Sequence, residues 1–482
     1  MTALWQRYVF SVNVGIVGHL EPSRSGRHGI NGNEPPCTGT LQNPRPSATS
    51  GPRSPAGKAQ ESGDGNARDR AAGPGVYEAL ELMQGTQHPH ITRSVRLPDE
   101  LRVSRNQRAP ELGPRILFFS GGSALRPLCR VLKQFTHNSV HLITPFDSGG
   151  SSAHLRRAFG MPALGDLRNR IVALADESIG GNPQIYRLFS HRLSSSAPRR
   201  QLRAELDALV SGEHALVVDI ALPMRRIVQT HLQFFVERMP SDFDARGANI
   251  GNLLLAGGFL SRSRDLGSVL FRFSKLLEVR GAVQPIVDAD LHLCADLEDG
   301  TRVLGQHRLT GKEVEPIRTA VRRLCLVQGL DAPTPADATI GEEVRQSIQG
   351  ADLICFPMGS FYSSIVANLL PLGVGRAIAA AGCPRVYIPN TGHDPEQHGM
   401  TVASCAEALL RYARADAGSD LPLSQVINLV ILDRNSENYA IGVELERLKA
   451  MGLQVITLEL VTEASHPQID PQRLTEALLA LT

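Results

Sequence analysis

No two of the seven cysteines (Cys37, Cys129, Cys294, Cys325, Cys355, Cys383 and Cys405) stand as a CxxC pair. Ligand pairs at zinc spacing are therefore missing. Most of the thiols lie inside apolar segments, as reduced cysteines of a cytoplasmic protein do. Neither sign of charge is in excess. A formal net charge of +2 over 482 residues, with no basic stripe in the body of the chain, argues against a nucleic-acid partner. No uncharged apolar run is long enough to span a bilayer, so no membrane partner is expected. Residues 8–18 follow Arg7 and faintly resemble a signal peptide, but no small-residue cleavage site precedes Glu21.

Periodic apolar residues are also scarce from residue 1 to about 110. The stretch 22–75 is rich in Gly, Pro, Ser, Arg and Asn. Such a composition cannot bury enough surface to offset its ordering entropy, so it is expected to be disordered and dispensable for folding. It is either a flexible extension or the product of a start codon placed too early, with Met83 as the later start.

What is present begins at Arg115. Ile116-Leu117-Phe118-Phe119 has the pattern of a buried strand. Ser120-Gly121-Gly122-Ser123 follows, and then a helix with Leu125, Leu128, Leu132 and Phe135 on one face. Residues 140–144 read as a second strand. This is the strand–glycine loop–helix–strand order of a Rossmann-like unit. Helical faces recur at Ile227, Val228, His231, Leu232 and Phe235, and at Leu266, Val269, Leu270, Phe273 and Leu277. Leu291, Leu293, Ala295 and Leu297 alternate ahead of Asp299-Gly300, which predicts a β-hairpin. Residues 351–356, 385–389, 426–432 and 454–458 are continuous apolar runs, as parallel strands buried on both faces require. Helices are predicted over 363–370, 439–451 and 471–481. The fold class is thus α/β: a Rossmann-like, mostly parallel sheet flanked by helices, with a β-hairpin excursion, occupying 111–482.

Five loops carry residues suited to phosphate chemistry. Gly121, Gly122 and Ser123 follow the first strand, where glycines let a backbone approach a phosphate and the next helix offers free N–H groups. The same loop also serves as a plain tight turn. Asp147, Ser148, Gly149, Gly150, Ser151 and Ser152 follow the second strand; they combine a carboxylate that suits Mg²⁺ with donors that suit an anion. Both loops would open at the carboxyl edge of one sheet, where α/β proteins bind ligands. Asp166, Arg168 and Asn169 head a helix that Asp166 could simply cap. Asn249 and Asn252 frame a glycine and suit a base, a sugar or a helix start. Gly359, Ser360 and Ser363 form a further strand–helix turn, and Asn390 ends the next strand. His393, Asp394 and His398 share a loop, but no partner motif completes a metal site.

These segments together resemble a known family. GGSALRPLCRVLK (121–133), DSGGSSAHLRRAFGMPALGDLRNRIVALAD (147–176), NIGNLLLAG (249–257), FSKLLEVRGAVQPI (273–286), LEDGTRVLG (297–305), ADLICFPMGSFYSSIVANLL (351–370) and RVYIPNTG (385–392) follow one another in the order of the CofD-like family. It contains the 2-phospho-L-lactate transferases and the gluconeogenesis-factor branch of nucleotide-sugar-binding regulators. The resemblance spans about 115–410 and leaves 420–482 as additional α/β elements. It implies a ligand at the strand carboxyl ends: a nucleoside-diphosphate-linked small molecule or a nucleotide sugar. In the transferases a phospholactyl group moves from a guanosine-diphosphate-linked donor to a deazaflavin with Mg²⁺; here Asp147 would meet the metal, and Asp166 and Arg168 would join the catalytic set. The regulator branch binds its ligand without turnover and leaves a homo-oligomer open. Three departures stand out. Ser148 replaces the second aspartate of the regulator branch's Asp-Asp-Gly-Gly-Ser-Ser-Gly, and Ala153 its final glycine. Pro357-Met358-Gly359-Ser360 stands for Gly-Pro-Gly-Ser. Gly247-Ala248-Asn249-Ile250-Gly251-Asn252 stands for Gly-His-Ser-Leu-Gly-Asn.

Overall fold

The computed structural model describes residues 6–13, 90–178, 181–261, 264–311 and 314–482. Most of the stretch expected to lack a core, including Met83, lies outside the described residues. Ordered structure nevertheless starts before the boundary expected near 110. Strand β1 (Gln6–Asn13) pairs antiparallel with β2 (His90–Leu97), Gln6 opposite Leu97. Val95 and Leu97 are buried in one core with Leu474 and Leu478 of the carboxyl-terminal helix Pro471–Ala480. Helix α1 (Glu100–Arg108) starts at Asp99, whose carboxylate accepts the Arg102 N–H at 3.2 Å. The contacts that order this segment come from the far end of the chain, so local composition does not reveal them.

The chain then lays down β3 (Ile116–Ser120), β4 (Val140–Ile143) and β5 (Ala282–Pro285). It leaves for β6 (His292–Leu297), β7 (Arg302–Leu304), β8 (Val321–Gln328) and β9 (Thr334–Pro335). It returns with β10 (Leu353–Phe356), β11 (Arg385–Tyr387), β12 (Leu429–Asp433) and β13 (Gln454–Leu458). Seven strands form one parallel sheet in the order β13-β12-β11-β10-β3-β4-β5. Alternate residues of β3 feed two cores, Ile116 and Phe118 on one face and Leu117 and Phe119 on the other, hence the unbroken apolar run. From β3 the chain winds outward to β5, and from β10 it winds the other way to β13. The reversal leaves a crevice at the carboxyl ends of β3 and β10.

The expected hairpin is β6–β7, turning at Asp299-Gly300 with Gly300 at a φ of 84°. It belongs to a separate antiparallel sheet ordered β7-β6-β8-β9. Helices α2 (Arg126–Leu132), α3 (Gly150–Phe159), α4 (Gly165–Leu174), α5 (Leu222–Arg238) and α6 (Ile250–Phe259) follow the sequence reading except α3, which makes a helix start of Gly150 to Ser152 where the sequence reads as a loop. Two predicted helices differ. Residues 363–370 form a π-turn, Phe361–Ile365, and a 3-10 turn, Val366–Leu369, because side chains from a later loop capture the amides that would start an α-helix. Of 439–451 only Leu445–Ala450 is α-helical. Tyr439 is spent accepting the Asp433 N–H at 2.6 Å, and the Gly442 carbonyl accepts the Val402 N–H at 2.8 Å. The six cysteines among the described residues are free thiols. No helix among those residues is long and apolar enough to cross a membrane.

All ten residues of α6 are buried, and Gly257 lets it close on α5: a Cβ there would lie 1.8 Å from the His231 carbonyl oxygen. Gly257→Ala must push the two helices apart. Urea unfolding should show a loss of about 2 kcal/mol or more, in the range of overpacked cores; an unchanged midpoint would contradict this packing.

Candidate functional site

The crevice at the strand reversal is built from the first three of the five loops. Ser120 ends β3, and Gly121 follows in a gap only a glycine fits. A Cβ there would lie 2.9 Å from both the Thr144 and the Ser364 hydroxyl oxygens. Gly122 adopts a left-handed φ of 52° and donates its N–H to Asp166 Oδ2 at 2.7 Å. Asp166 therefore braces the opening loop, and it does not cap its own helix α4. After β4, Asp147 Oδ1 accepts the Gly149 N–H at 3.0 Å, and Oδ2 faces Gly165. Ser151 accepts from Asn252 Nδ2 at 3.3 Å, and Asn252 Oδ1 accepts from Arg168 Nε at 3.3 Å. The elements thus interlock in sequence: β4 loop to α6, α6 to α4, α4 back to the β3 loop.

The result is a cleft of about 310 Å³ lined by Gly122, Ser123, Asp147, Gly149, Gly150, Ser151, Ser152, Asp166, Arg168, Asn169 and Asn252. Sequence reasoning missed four further lining residues: Arg192, and Gln306, His307 and Thr310 from the connection between β7 and β8. It also missed Arg126, which is exposed three residues past Ser123 and acts on the site through its charge at Arg168. An adjoining lobe of about 300 Å³ shares Gly150, Ser151, Arg192 and Asn252 and adds Phe243, Asp244, Arg246 and Asn249. Asn249 itself is a brace: its Oδ1 accepts the Asn252 N–H at 3.2 Å and its Nδ2 donates to the His191 carbonyl at 3.0 Å. Ser148 turns away from the cleft. Its Oγ lies 2.8 Å from His307 Nδ1 and accepts the His307 N–H at 3.3 Å, so it fixes the imidazole on the cleft wall.

The cleft carries charge of both signs, Arg168 and Arg192 beside Asp147 and Asp166. Arg168 is pushed down to about 10 by burial first, then by Arg192 and Arg126, with Asp166 partly opposing them. A buried guanidinium, that of Arg156, holds the wall. Arg156 donates to Asp290 Oδ1 at 2.9 Å, to the Phe146 and Asp147 carbonyls at 3.3 and 3.0 Å, and to the Leu291 carbonyl at 2.6 Å. It ties the end of β4 to the start of β6, a role no local pattern announced.

The fifth loop differs from its expectation as an open anion cradle. Its amides already hold the chain's own carboxylates. The Phe361 N–H donates to Asp394 Oδ2 at 2.7 Å, and the Tyr362 and Ser363 N–H groups donate to Glu396 Oε2 at 2.7 and 2.8 Å. Ser363 Oγ donates to Glu396 Oε1 at 2.5 Å, while Asn390 exchanges bonds with Gly359 at 2.8 and 2.6 Å. Ser363 and Asn390 are thus spent inside the fold; Gly359 and Ser360 are half-buried beside the reversal. Asp394 is likewise turned inward and caps Pro395–Gln397, which separates it from His393 and His398 as a ligand set. Among the described residues, no three His, Cys, Asp or Glu side chains gather as metal ligands.

The family model described as 2-phospho-L-lactate transferase CofD matches residues 116–461. A gluconeogenesis factor of Halalkalibacterium halodurans is 27% identical over 373 residues, covering 76% of this chain and 95% of the relative. The gluconeogenesis factor of Bacillus subtilis is 28% identical over 356 residues, covering 72% and 92%. A crystal structure of a UPF0052-family protein from Bacillus halodurans covers 76% of this chain and 99% of its own, at 26% identity and a TM-score of 0.55.

Burial and the neighbouring Asp394 raise the Glu396 carboxyl well above its ordinary range, against its bonds from Ser363 and Tyr362. A raised folded value means the stabilising contribution is full below the unfolded carboxyl pKa and is lost as pH rises through the folded one. Stability should therefore decline from acid toward mildly alkaline pH. Glu396→Gln should flatten that decline in denaturant titrations run across pH; an equally steep decline in the variant would assign it to another group.

Proposed function

Since this chain belongs to the 2-phospho-L-lactate transferase CofD family, we propose that its cleft binds the diphosphate of a nucleoside-diphosphate-linked small molecule, in the manner of a nucleotide-sugar-binding regulator. The observation that carries this reading is Arg168. Burial first, and then the charges of the exposed Arg192 and Arg126 nearby, depress its pKa. Such a cluster is repulsive when empty and favourable around a group with two or more negative charges. Ser123 and the residues that open α3, Gly150 to Ser152, add backbone and hydroxyl donors on the same cleft, while the Gly122 N–H is already given to Asp166. The adjoining lobe has room for the remainder of the ligand. Ser148, which stands where the regulator branch has a second aspartate, is engaged with His307 and brings no second carboxylate to the cleft. That favours binding without transfer, and it accords with the relatives that carry the name gluconeogenesis factor.

A second reading, Mg²⁺-dependent transfer from a nucleotide-linked donor, is favoured by Asp147. Mg²⁺ is commonly held by one or two carboxylates plus substrate phosphates, and the Asp147 carboxylate on the cleft fits that donor set. The metal would supply charge neutralisation between the carboxylate and the diphosphate. Arg168 would stabilise charge on the phosphates, and Asp166 would hold the Gly122 amide in place.

Thermal unfolding with nucleoside diphosphates and nucleotide sugars should raise the melting temperature by mass action. Arg168→Met should weaken that binding about tenfold or more, the scale of a lost charge-assisted contact. No shift with any of these compounds, for a folded protein, would remove the diphosphate reading. Asp147→Asn separates the two roles. A regulator should keep equal or higher nucleotide-sugar affinity in metal-free buffer, because a carboxylate–phosphate repulsion is relieved. Product formed from a labelled nucleotide-linked donor by the native chain, and lost in this variant, would instead establish transfer.

A further inference from the structure

Behind the cleft lies a charge that none of its lining groups explains. Arg170 follows Asp166 by one turn of α4 and is 2% exposed. Its guanidinium donates to Cys129 Sγ at 2.7 Å and to Ser120 Oγ at 3.3 Å, and its Nε has no hydrogen-bond partner. Among the described residues no carboxylate pairs with it.

The titratable groups packed against Arg170 are neutral. Cys129, from α2, is wholly buried, and burial raises its thiol pKa despite the opposing pull of Arg170 and Lys133. His141, from β4, stacks on Phe118 at 5.1 Å, with Nδ1 3.9 Å from Cys129 Sγ and Nε2 3.1 Å from Ser139 Oγ. Burial first, and then Arg170, hold the imidazole well below its usual range, so it stays uncharged. A guanidinium does not give up its proton in a protein. Arg170 therefore places a charge in the interior with a thiol and a hydroxyl, and no carboxylate, as its partners among the described residues. Ser120, which it touches, ends β3 and leads straight into Gly121-Gly122. Asn169, its chain neighbour, lines the cleft.

We propose that Arg170 is a positioning residue for the bound anion: a buried cation set behind the Gly121-Gly122 loop, whose counter-charge is the ligand's diphosphate. The inference rests on reading the cleft as a diphosphate site. Arg170 acts through Ser120 and the loop that follows it, and its field adds to those of Arg126, Arg168 and Arg192. Filling the cleft then relieves a cost that the free protein carries. Anion binding and folding stability are coupled through one side chain that never meets the ligand.

The test uses the full chain, inorganic pyrophosphate in titration calorimetry, and thermal unfolding without ligand. Arg170→Met removes the charge and keeps an unbranched apolar stem; Arg170→Lys keeps the charge. The Met variant should bind pyrophosphate about tenfold more weakly, the order expected of one charge acting across a few ångströms of protein. Without ligand it should melt above the native chain, and the Lys variant should retain most of the native affinity. A Met variant that binds as tightly as the native chain, or melts below it or fails to fold, makes Arg170 a structural donor and overturns the proposal. A Lys variant no better than Met overturns it equally. A native chain that binds neither pyrophosphate nor any nucleoside diphosphate defeats the reading of the cleft itself, an outcome distinct from all of these.

Discussion

Everything at the site depends on where the parallel sheet reverses its winding. A parallel sheet has no hairpins to close its carboxyl edge, so each strand there must end in a loop that turns back over a face. At β3 and β10 those loops turn to opposite sides and leave a gap. The gap is narrow enough that Gly121 fits between two hydroxyls, and it is kept open by bonds between side chains and backbone. Asp166 on Gly122 and Arg156 on the β4 and β6 ends are the two main struts. Neither strut belongs to the strands it positions.

The parallel core was plain in the sequence because its central strands β3, β10, β11 and β12 are buried on both faces and so read as unbroken apolar runs. Ile116 to Phe119 and the residues around Val430 are apolar whichever face they meet. The first three loops were equally legible, since glycine at Gly122 answers a backbone need that no other residue meets as easily. What the sequence hid were partners from afar. Glu396 carries no motif, yet it converts a predicted open cradle and a predicted helix into a closed turn. Arg192 and His307 reach the cleft from segments in which the sequence shows no motif. The start of order at β2 was hidden in the same way, because it depends on Leu474 and Leu478 at the other end of the chain.

Two turns that follow parallel strands thus differ in how far the fold itself satisfies them. In the turn after β10 the amides of Phe361, Tyr362 and Ser363 are all taken by Asp394 and Glu396. In the turn after β3 Asp166 takes the Gly122 amide, and the loop opens on a cleft lined by Asp147, Asp166, Arg168 and Arg192. Glycine and serine content alone does not distinguish the two, because the carboxylates that close the later turn come from a separate loop.

The antiparallel excursion has a consequence for how such proteins diverge. Gln306, His307 and Thr310 close one wall of the cleft, yet they sit on an insert that leaves the parallel sheet after β5 and rejoins it at β10. The insert has its own hydrogen-bonded sheet, β7-β6-β8-β9, and is pinned at its root by Arg156. Substitutions along it can therefore accumulate without disturbing the register of the seven parallel strands. The wall it supplies is a replaceable cassette, so descendants of one scaffold can differ along this wall while sharing the loops that follow β3 and β4.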